Sequence, residues 1–216
     1  MPELMEIETY RLEELSERAK TNARSWYRET GLDYDWHDST YDDFERVCDI
    51  LGVSLKTNIV RLHGGGTRSE PRIYFTGFWS QGDGACYEGV YSYSRGAHRR
   101  IRDHAPLDTE LHRIADALRA LQSRNFYQLS AGVHHRGRYY HEHSMAISVE
   151  RDGAFQDMTA GAEEAIAEAL RDLAGWLYRG LRAEYEYLSS DEAVDESITA
   201  NGYRFTASGE RQLRIA

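Results

Sequence analysis

Apolar residues recur with helical spacing near both ends of the chain and with alternating spacing in its middle. The N-terminal pattern predicts an amphipathic helix over 10–29 that Gly31 ends, and a second over 41–51 capped by Ser39. The longest apolar stripe, 166–188, predicts a long helix. A final helix follows, with Ser189 and Glu192 as its capping box.

Alternating apolar and polar residues predict five strands in the middle of the chain. These are 55–62, 73–79, 85–93, 126–133 and 139–149. The glycines near residue 83 and at Gly137 predict two hairpins. The apolar pattern favours pairing Leu129 with Met145, which leaves His141 and His143 on one face of the same strand.

Two further helices, a basic one over 95–105 and one that Asp108 introduces, lie between the hairpins. Helices around a central set of antiparallel strands predict an α+β fold, expected as a single domain over 1–216. Its sheet consists of two hairpins plus an extra strand. Amphipathic helices from both ends of the chain pack against that sheet, with Leu118 and Leu177 on the covering faces.

The chain of 216 residues contains 36 acidic and 26 basic side chains, a formal net charge of −10 that disfavours a general nucleic-acid coat. Its 15 Tyr favour a partly wet surface or an interface. Cys48 and Cys86 are expected to be reduced thiols. With no signal-like or membrane-spanning segment, we expect a cytoplasmic protein, away from membranes; its oligomeric state stays open.

One candidate for chemistry is a histidine pair. Two imidazoles at i and i+2 of a strand, His141 and His143, can share a divalent metal such as zinc, with Asp83 or Glu88 completing the site if the hairpins adjoin. The alternative is that these histidines are hydrogen-bonded to their surroundings, with no cofactor. Asp83 lies in a loop motif that suits a turn or an acid, base or ligand in a cleft: Ser80, Gln81, Gly82, Asp83 and Gly84.

Other catalytic motifs are incomplete. The glycines after His63 are similar to an oxyanion-hole segment, but the sequence contains no Gly-x-Ser-x-Gly elbow and no phosphate-binding glycine loop. Serine-hydrolase, nucleotidase and dinucleotide chemistry are therefore disfavoured, and a flexible connection is the expected use of these glycines.

Charged and aromatic surfaces are candidates for partner binding. One is an acidic ledge near the C-terminus, made of Glu184, Glu186, Asp191, Glu192, Asp195 and Glu196. Another is an acidic aromatic loop that includes Tyr34, Asp35 and Trp36. The third is a basic patch from Arg95 to His104, preceded by Tyr91 and Tyr93, which could stack on bases or meet an acidic protein.

Several motifs resemble a family of small phage and prophage proteins. They are Phe75-Thr76-Gly77-Phe78-Trp79-Ser80-Gln81-Gly82-Asp83-Gly84-Ala85-Cys86-Tyr87-Glu88-Gly89, Asn125-Phe126-Tyr127, the 137–141 segment and the 185–194 segment. Some members of that family carry the label "antitoxin of toxin-antitoxin stability system". The resemblance implies a viral accessory protein in a bacterial cytoplasm and brings no active site with it.

The expected function is therefore non-enzymatic: a phage-type accessory protein that binds and inhibits a host protein or a nucleoprotein defence complex through acidic, Tyr-rich surfaces. One alternative is a metal-dependent hydrolase or nuclease that uses His141, His143 and Asp83 or Glu88. The other is an antitoxin that masks a toxin protein, which differs from the first only in its partner.

Overall fold

The computed structural model describes residues 8–32, 35–153 and 157–212. Packing groups the chain into two compact units, one formed by 1–38 with 183–216 and the other by 39–182. The α+β class and the antiparallel sheet predicted from the sequence are confirmed. The single-domain boundary over 1–216 stays a prediction, and each unit is described by itself.

The described residues contain six α-helices. They are α1 (Glu17–Thr30), α2 (Asp38–Leu51), α3 (Ala97–His104), α4 (Thr109–Arg124), α5 (Ala162–Leu188) and α6 (Asp191–Ala200). Asp108 caps α4 as predicted, because its carboxylate accepts from the backbone N–H groups of Glu110 and Leu111. The cap of α6 is Ser190 instead of the predicted Ser189. None of the helices in the described ranges is long and apolar enough to cross a bilayer.

Within the described residues, eight strands form three antiparallel sheets. They are β1 (Val53–Leu55), β2 (Thr57–Arg61), β3 (Thr67–Pro71), β4 (Ile73–Phe75), β5 (Ala85–Tyr87), β6 (Gly89–Ser92), β7 (Leu129–His135) and β8 (Met145–Arg151). A four-stranded sheet has the order β1-β6-β7-β8, and β2–β3 and β4–β5 form two-stranded ladders. The glycines after His63 form the turn of the β2–β3 hairpin. The sequence pattern missed β3, because exposed and polar residues leave no alternating signal there.

The three sheets meet at a junction of three charged residues. Lys56 lies between β1 and β2, Arg72 between β3 and β4, and Glu88 between β5 and β6. Their backbones form a closed ring of hydrogen bonds: Lys56 N–H donates to the Glu88 carbonyl, Glu88 N–H to the Arg72 carbonyl, and Arg72 N–H to the Lys56 carbonyl, at 2.9, 2.9 and 2.7 Å. The strands predicted over 55–62 and 85–93 are each split here, so the first predicted hairpin is divided between two ladders.

The predicted pairing of β7 with β8 is wrong. Leu129 faces Arg151, six residues beyond the predicted partner Met145, and Met145 faces His135. The strand expected over 139–149 therefore begins only at Met145, and the one expected from Phe126 begins at Leu129. His141 and His143 consequently lie outside β8.

In the 39–182 unit, α4 and α5 pack against the sheets, as predicted. Leu118 and Leu177 are buried. The Tyr87 hydroxyl of β5 donates to the Leu170 carbonyl of α5 at 3.0 Å, and the Tyr87 ring packs edge-on against Phe44 of α2. Burial of these helix faces against the strands supplies the hydrophobic stabilisation of this unit.

In the other unit, α1 and α6 pack together. The core consists of buried residues from both helices and their flanking segments: Leu12, Leu15, Ala19, Ala23, Tyr27, Val194, Ile198 and Phe205. The helix predicted over 10–29 is shorter than expected, because Ser16 starts α1 by accepting from the Ala19 N–H group. A short bridge pairs Tyr10 with Phe205, so Phe205 is extended as predicted.

Candidate functional site

Asp83 organises the loop between β4 and β5, residues 76–84, which we call the Trp79 loop. One carboxylate oxygen of Asp83, Oδ2, accepts from the backbone N–H groups of Trp79 at 2.8 Å and Ser80 at 2.6 Å. Asp83 N–H in turn donates to the Ser80 carbonyl at 3.1 Å. The carboxylate is thus engaged in fixing the backbone, which is the turn interpretation of the loop motif.

Two glycines let this loop pack closely on the segment that precedes β8. A Cβ added to Gly82, whose φ is 97°, would lie 3.1 Å from the Tyr139 ring. A Cβ added to Gly84 would lie 2.5 Å from the Cβ of His141, so only glycine fits. The motif's glycines therefore serve close packing as well as turning.

The other end of the loop is held by Tyr178 of α5. Its hydroxyl donates to the Gly77 carbonyl at 3.2 Å, and its ring packs against Phe78 with centroids 5.5 Å apart. Burial, and then the nearby Asp83 carboxylate, raise the pKa of Tyr178 above its ordinary value. Fixed at several points, the loop holds Trp79 in solvent, with 80% of that residue exposed.

The histidine pair does not have the predicted geometry. His141 and His143 lie in and beside a short 3-10 helix, Glu142–Ser144, so the strand-face argument for a shared metal is wrong. His141 Nδ1 accepts from the His143 backbone N–H at 3.0 Å, and the two ring centroids are 6.0 Å apart. His141 is therefore a local cap.

His143 lines a cleft that also contains two arginines, Arg171 and Arg179. The cleft has a volume of about 400 Å³, and its lining includes Glu142, Glu164, Glu168 and Asp172. Asp172 is paired with Arg113 at 2.8 Å. Within the described residues, the one group of three or more His, Cys, Asp or Glu side chains with ligand atoms within 4.8 Å of each other lies elsewhere, at Asp35, His37 and Asp38.

Glu88, the fourth predicted ligand, is held by cations at the junction of the three sheets. Its carboxylate lies 3.1 Å from Arg72 and 3.8 Å from Lys56, and only 13% of its side chain is exposed. Lys56 Nζ also lies 3.0 Å from His134 Nδ1, and Arg72 donates to the Asn58 side chain at 2.8 Å. We call these residues the Glu88 cluster.

An aromatic stack adjoins this cluster. Tyr74 and Tyr140 are stacked with centroids 5.1 Å apart, and His135 packs against both. Burial, followed by the Glu88 carboxylate, raises the pKa of Tyr74. His134, which contacts Lys56 of the cluster, is not one of the two histidines predicted to share a metal. A charged residue interrupting a strand pattern, as at Lys56 and Arg72, is the signal that would have drawn attention to this cluster.

A family model described as a domain of unknown function, DUF8835, matches residues 36–191. The chain belongs to this family. The matched range of DUF8835 contains the Trp79 loop, the Glu88 cluster and the whole 39–182 unit. No curated protein and no solved structure matches the chain.

The acidic ledge extends past the end of the DUF8835 match and is partly neutralised within its own unit. Arg24 of α1 donates to both carboxylate oxygens of Asp195, at 2.7 and 2.6 Å, and also to Asp191 at 3.0 Å. Arg28 donates to Asp191 as well. The exposed acids of α6 are Asp191, Glu192 and Glu196, and Asp191 is the one of these that Arg24 and Arg28 bind. Binding by Glu184, Glu186 and the rest of the ledge stays a prediction.

The acidic aromatic loop lies where the DUF8835 match begins. Tyr34 is outside the described residues. Trp36 packs edge-on against His37 and at a tilt against Tyr185, with centroids 5.6 and 5.7 Å apart. Asp35 is exposed and its carbonyl accepts from the Asp38 N–H. The loop is thus anchored through Trp36, and its role in binding a partner stays a prediction.

Proposed function

We propose that this protein is a non-enzymatic accessory protein that binds and inhibits a protein partner, with Trp79 as the anchor of the interface. The observation that carries the proposal is an exposed tryptophan on a loop that is fixed from several sides. Tryptophan is enriched among residues that dominate binding energy, since its large ring is desolvated in a partner's pocket. A loop that is already rigid loses little conformational entropy on binding.

The contacts of the Asp83 and Glu88 carboxylates favour a binding function over a catalytic one. Asp83 is committed to the backbone of its own loop, and Glu88 is paired with two cations, so each has a structural use. The net charge of −10 favours a partner with a cationic surface. The resemblance to phage and prophage proteins supports a setting in the bacterial cytoplasm and a host protein or defence complex as the target.

The test compares the tagged wild-type chain with Trp79→Ala. The control is Leu107→Ala, which truncates another exposed large apolar side chain of the 39–182 unit. Each protein is purified from an expressing or infected bacterium, co-eluting chains are identified, and affinity for the purified partner is then measured. We expect Trp79→Ala to weaken binding by at least about 30-fold, as for a binding hot spot, and Leu107→Ala to leave it unchanged.

Equal binding by the wild type and Trp79→Ala would remove the loop from the interface. A phage defence target among the co-eluting chains supports the inhibitor function, whereas a toxin encoded beside the protein would make it an antitoxin with the same anchor. Turnover of a substrate by the purified chain would contradict the non-enzymatic proposal.

A further inference from the structure

A strained turn between α4 and β7 presents two aromatic side chains to solvent. Phe126 and Tyr127 have φ values of 56° and 62°, and within the described residues they are the non-glycine residues with positive φ. This left-handed conformation is unfavourable for bulky L-residues. Such strain persists only where surrounding structure imposes it, and it is concentrated at functional positions. We call residues 125–128 the aromatic turn.

Two fully buried amides impose the conformation. The Gln122 side chain donates to the Leu129 carbonyl at 2.7 Å and accepts from the Leu129 N–H at 3.1 Å. The Asn125 side chain donates to the Thr159 hydroxyl and accepts from the Thr159 N–H, both at 2.9 Å. Tyr127 N–H donates to the Gln122 carbonyl at 2.7 Å. Buried polar groups with complete partners make a rigid support.

The support holds the rings outward. Phe126 is 70% exposed and Tyr127 is 48% exposed. The Tyr127 ring packs against Tyr93 with centroids 4.5 Å apart, and the Arg151 guanidinium lies 5.5 Å from the centre of the Phe126 ring. The predicted use of Tyr91 is wrong, because that side chain is buried. The exposed rings are thus those of the turn, and Tyr93 beside them is half-buried.

Cations lie beside the Phe126 ring and near Tyr93 in a chain that is acidic as a whole. His98 and Arg119 line the same shallow hollow as Tyr93. Burial and then the charges of Arg119 and Arg99 lower the pKa of His98, which indicates a locally positive field. Of the acids near the rings, Asp116 is paired with Arg102 at 2.7 Å, and Asp152 is exposed beside Gln128 of the turn.

We propose that the aromatic turn, with Tyr93 and the flanking arginines, is a binding site for single-stranded nucleic acid. Unpaired bases expose the faces on which aromatic rings stack, and phosphates would meet the exposed Arg119 and the guanidinium of Arg151, which also donates to the Gln128 side chain and the Asp157 carbonyl. A duplex keeps its base faces covered. An acidic peptide would bind the arginines, but it would have no contact that requires the rings. The exposed rings therefore favour single-stranded nucleic acid over an acidic peptide.

The test measures binding of a fluorescein-labelled oligothymidylate of twelve nucleotides by fluorescence anisotropy, with the full chain at low salt. The informative variants are Phe126→Gly and Tyr127→Gly, since glycine adopts the left-handed conformation without strain and removes the ring. Tyr187→Ala is the control, because Tyr187 is an exposed tyrosine outside this unit. Tyr127→Asn is a second variant, as asparagine also tolerates this conformation.

We expect saturable binding by the wild type and by Tyr187→Ala, with each glycine variant weakened at least tenfold while its urea unfolding midpoint is retained or raised. Arg119→Gln and Arg151→Gln should weaken binding and reduce its dependence on salt. Duplex DNA and polyglutamate should compete poorly. The proposal is overturned if the wild type does not bind, or if folded ring variants bind equally well. If polyglutamate competes equally well against the wild type and the ring variants, the site binds an acidic protein instead.

Discussion

Gly84 lies directly against the backbone of His141. A Cβ on Gly84 would come within 2.8 Å of the His141 Cα and 2.9 Å of the Tyr140 carbonyl oxygen, in addition to the close approach to the His141 Cβ. Two of these neighbours are backbone atoms that no rotamer change can move. The Trp79 loop and the segment before β8 are therefore fitted to each other at this point.

We expect Gly84→Ala to lower the free energy of unfolding by about 1–3 kcal/mol, the usual cost of overpacking. The control is Gly64→Ala in the β2–β3 turn, where an added Cβ meets nothing within 4 Å. Urea unfolding followed by circular dichroism measures both. If the two substitutions have the same small effect, the contact between Gly84 and His141 is not close in solution.

Glu88 forms ion pairs with two cations at the junction of the sheets. Replacing it by Ala leaves Lys56 and Arg72 without their shared carboxylate, so we expect a loss of about 1–3 kcal/mol in unfolding free energy, reduced by their partial exposure. Glu70→Ala removes the more exposed ion pair with Arg68 and should cost less than about 1 kcal/mol. Equal losses in urea unfolding would mean that Glu88 has no special role at the junction.

Asp191 makes the terminal unit sensitive to acid. The hydrogen bond from Arg28, and the charge of Arg24, hold the pKa of Asp191 below its ordinary value of 3.8. Stability from this carboxylate is complete above that pH and is lost as the pH falls through the lower, folded value. We therefore expect Asp191→Asn to be less stable than the wild type at pH 7, with a smaller difference at pH 2.5.

Urea midpoints at the two pH values measure this difference, with Glu192→Gln as the control because Glu192 is an exposed acid in the same helical turn. If the difference in stability between the wild type and Asp191→Asn stays constant down to pH 2.5, the charge of the Asp191 carboxylate does not stabilise the folded protein.

Both thiols are expected to be inert in the folded protein. Burial raises the pKa of the Cys86 thiol to about 12 and that of Cys48 well above its ordinary value, so neither forms an appreciable thiolate near neutral pH. Ellman's reagent at pH 8 should modify neither cysteine in the native protein and both in urea. Rapid native labelling, located by mass spectrometry, would reveal an opening of α2 or β5.

The helices could be predicted well because their apolar stripes and caps are local. Asp108 at the start of α4 and the stripe of α5 from Ile166 to Leu181 have the predicted roles. The β7–β8 register could not be obtained this way. Side chains alternate faces with a period of two, so a shift of six residues keeps every apolar residue on its face, and the pattern cannot distinguish the two pairings.

The candidate sites show the same limit. The turn at Asp83 was foreseen because glycines flank an aspartate, a local signal. The neighbours of Glu88 come from separate sheets and are brought together where these sheets join. No spacing along the sequence predicts that junction. Aromatic residues are uncommon in left-handed backbone, so nothing in the sequence predicted the conformation of Phe126 and Tyr127.

The ring of hydrogen bonds at Lys56, Arg72 and Glu88 has a consequence for how the chain tolerates change. The Lys56 carbonyl and the Arg72 N–H already bond to each other, so they close the base of the β2–β3 hairpin, most of whose residues are exposed. The hairpin thus behaves as an insertion into an otherwise continuous backbone path. We expect its tip to accept added or deleted residues, or a grafted epitope, at little cost to the body that carries it.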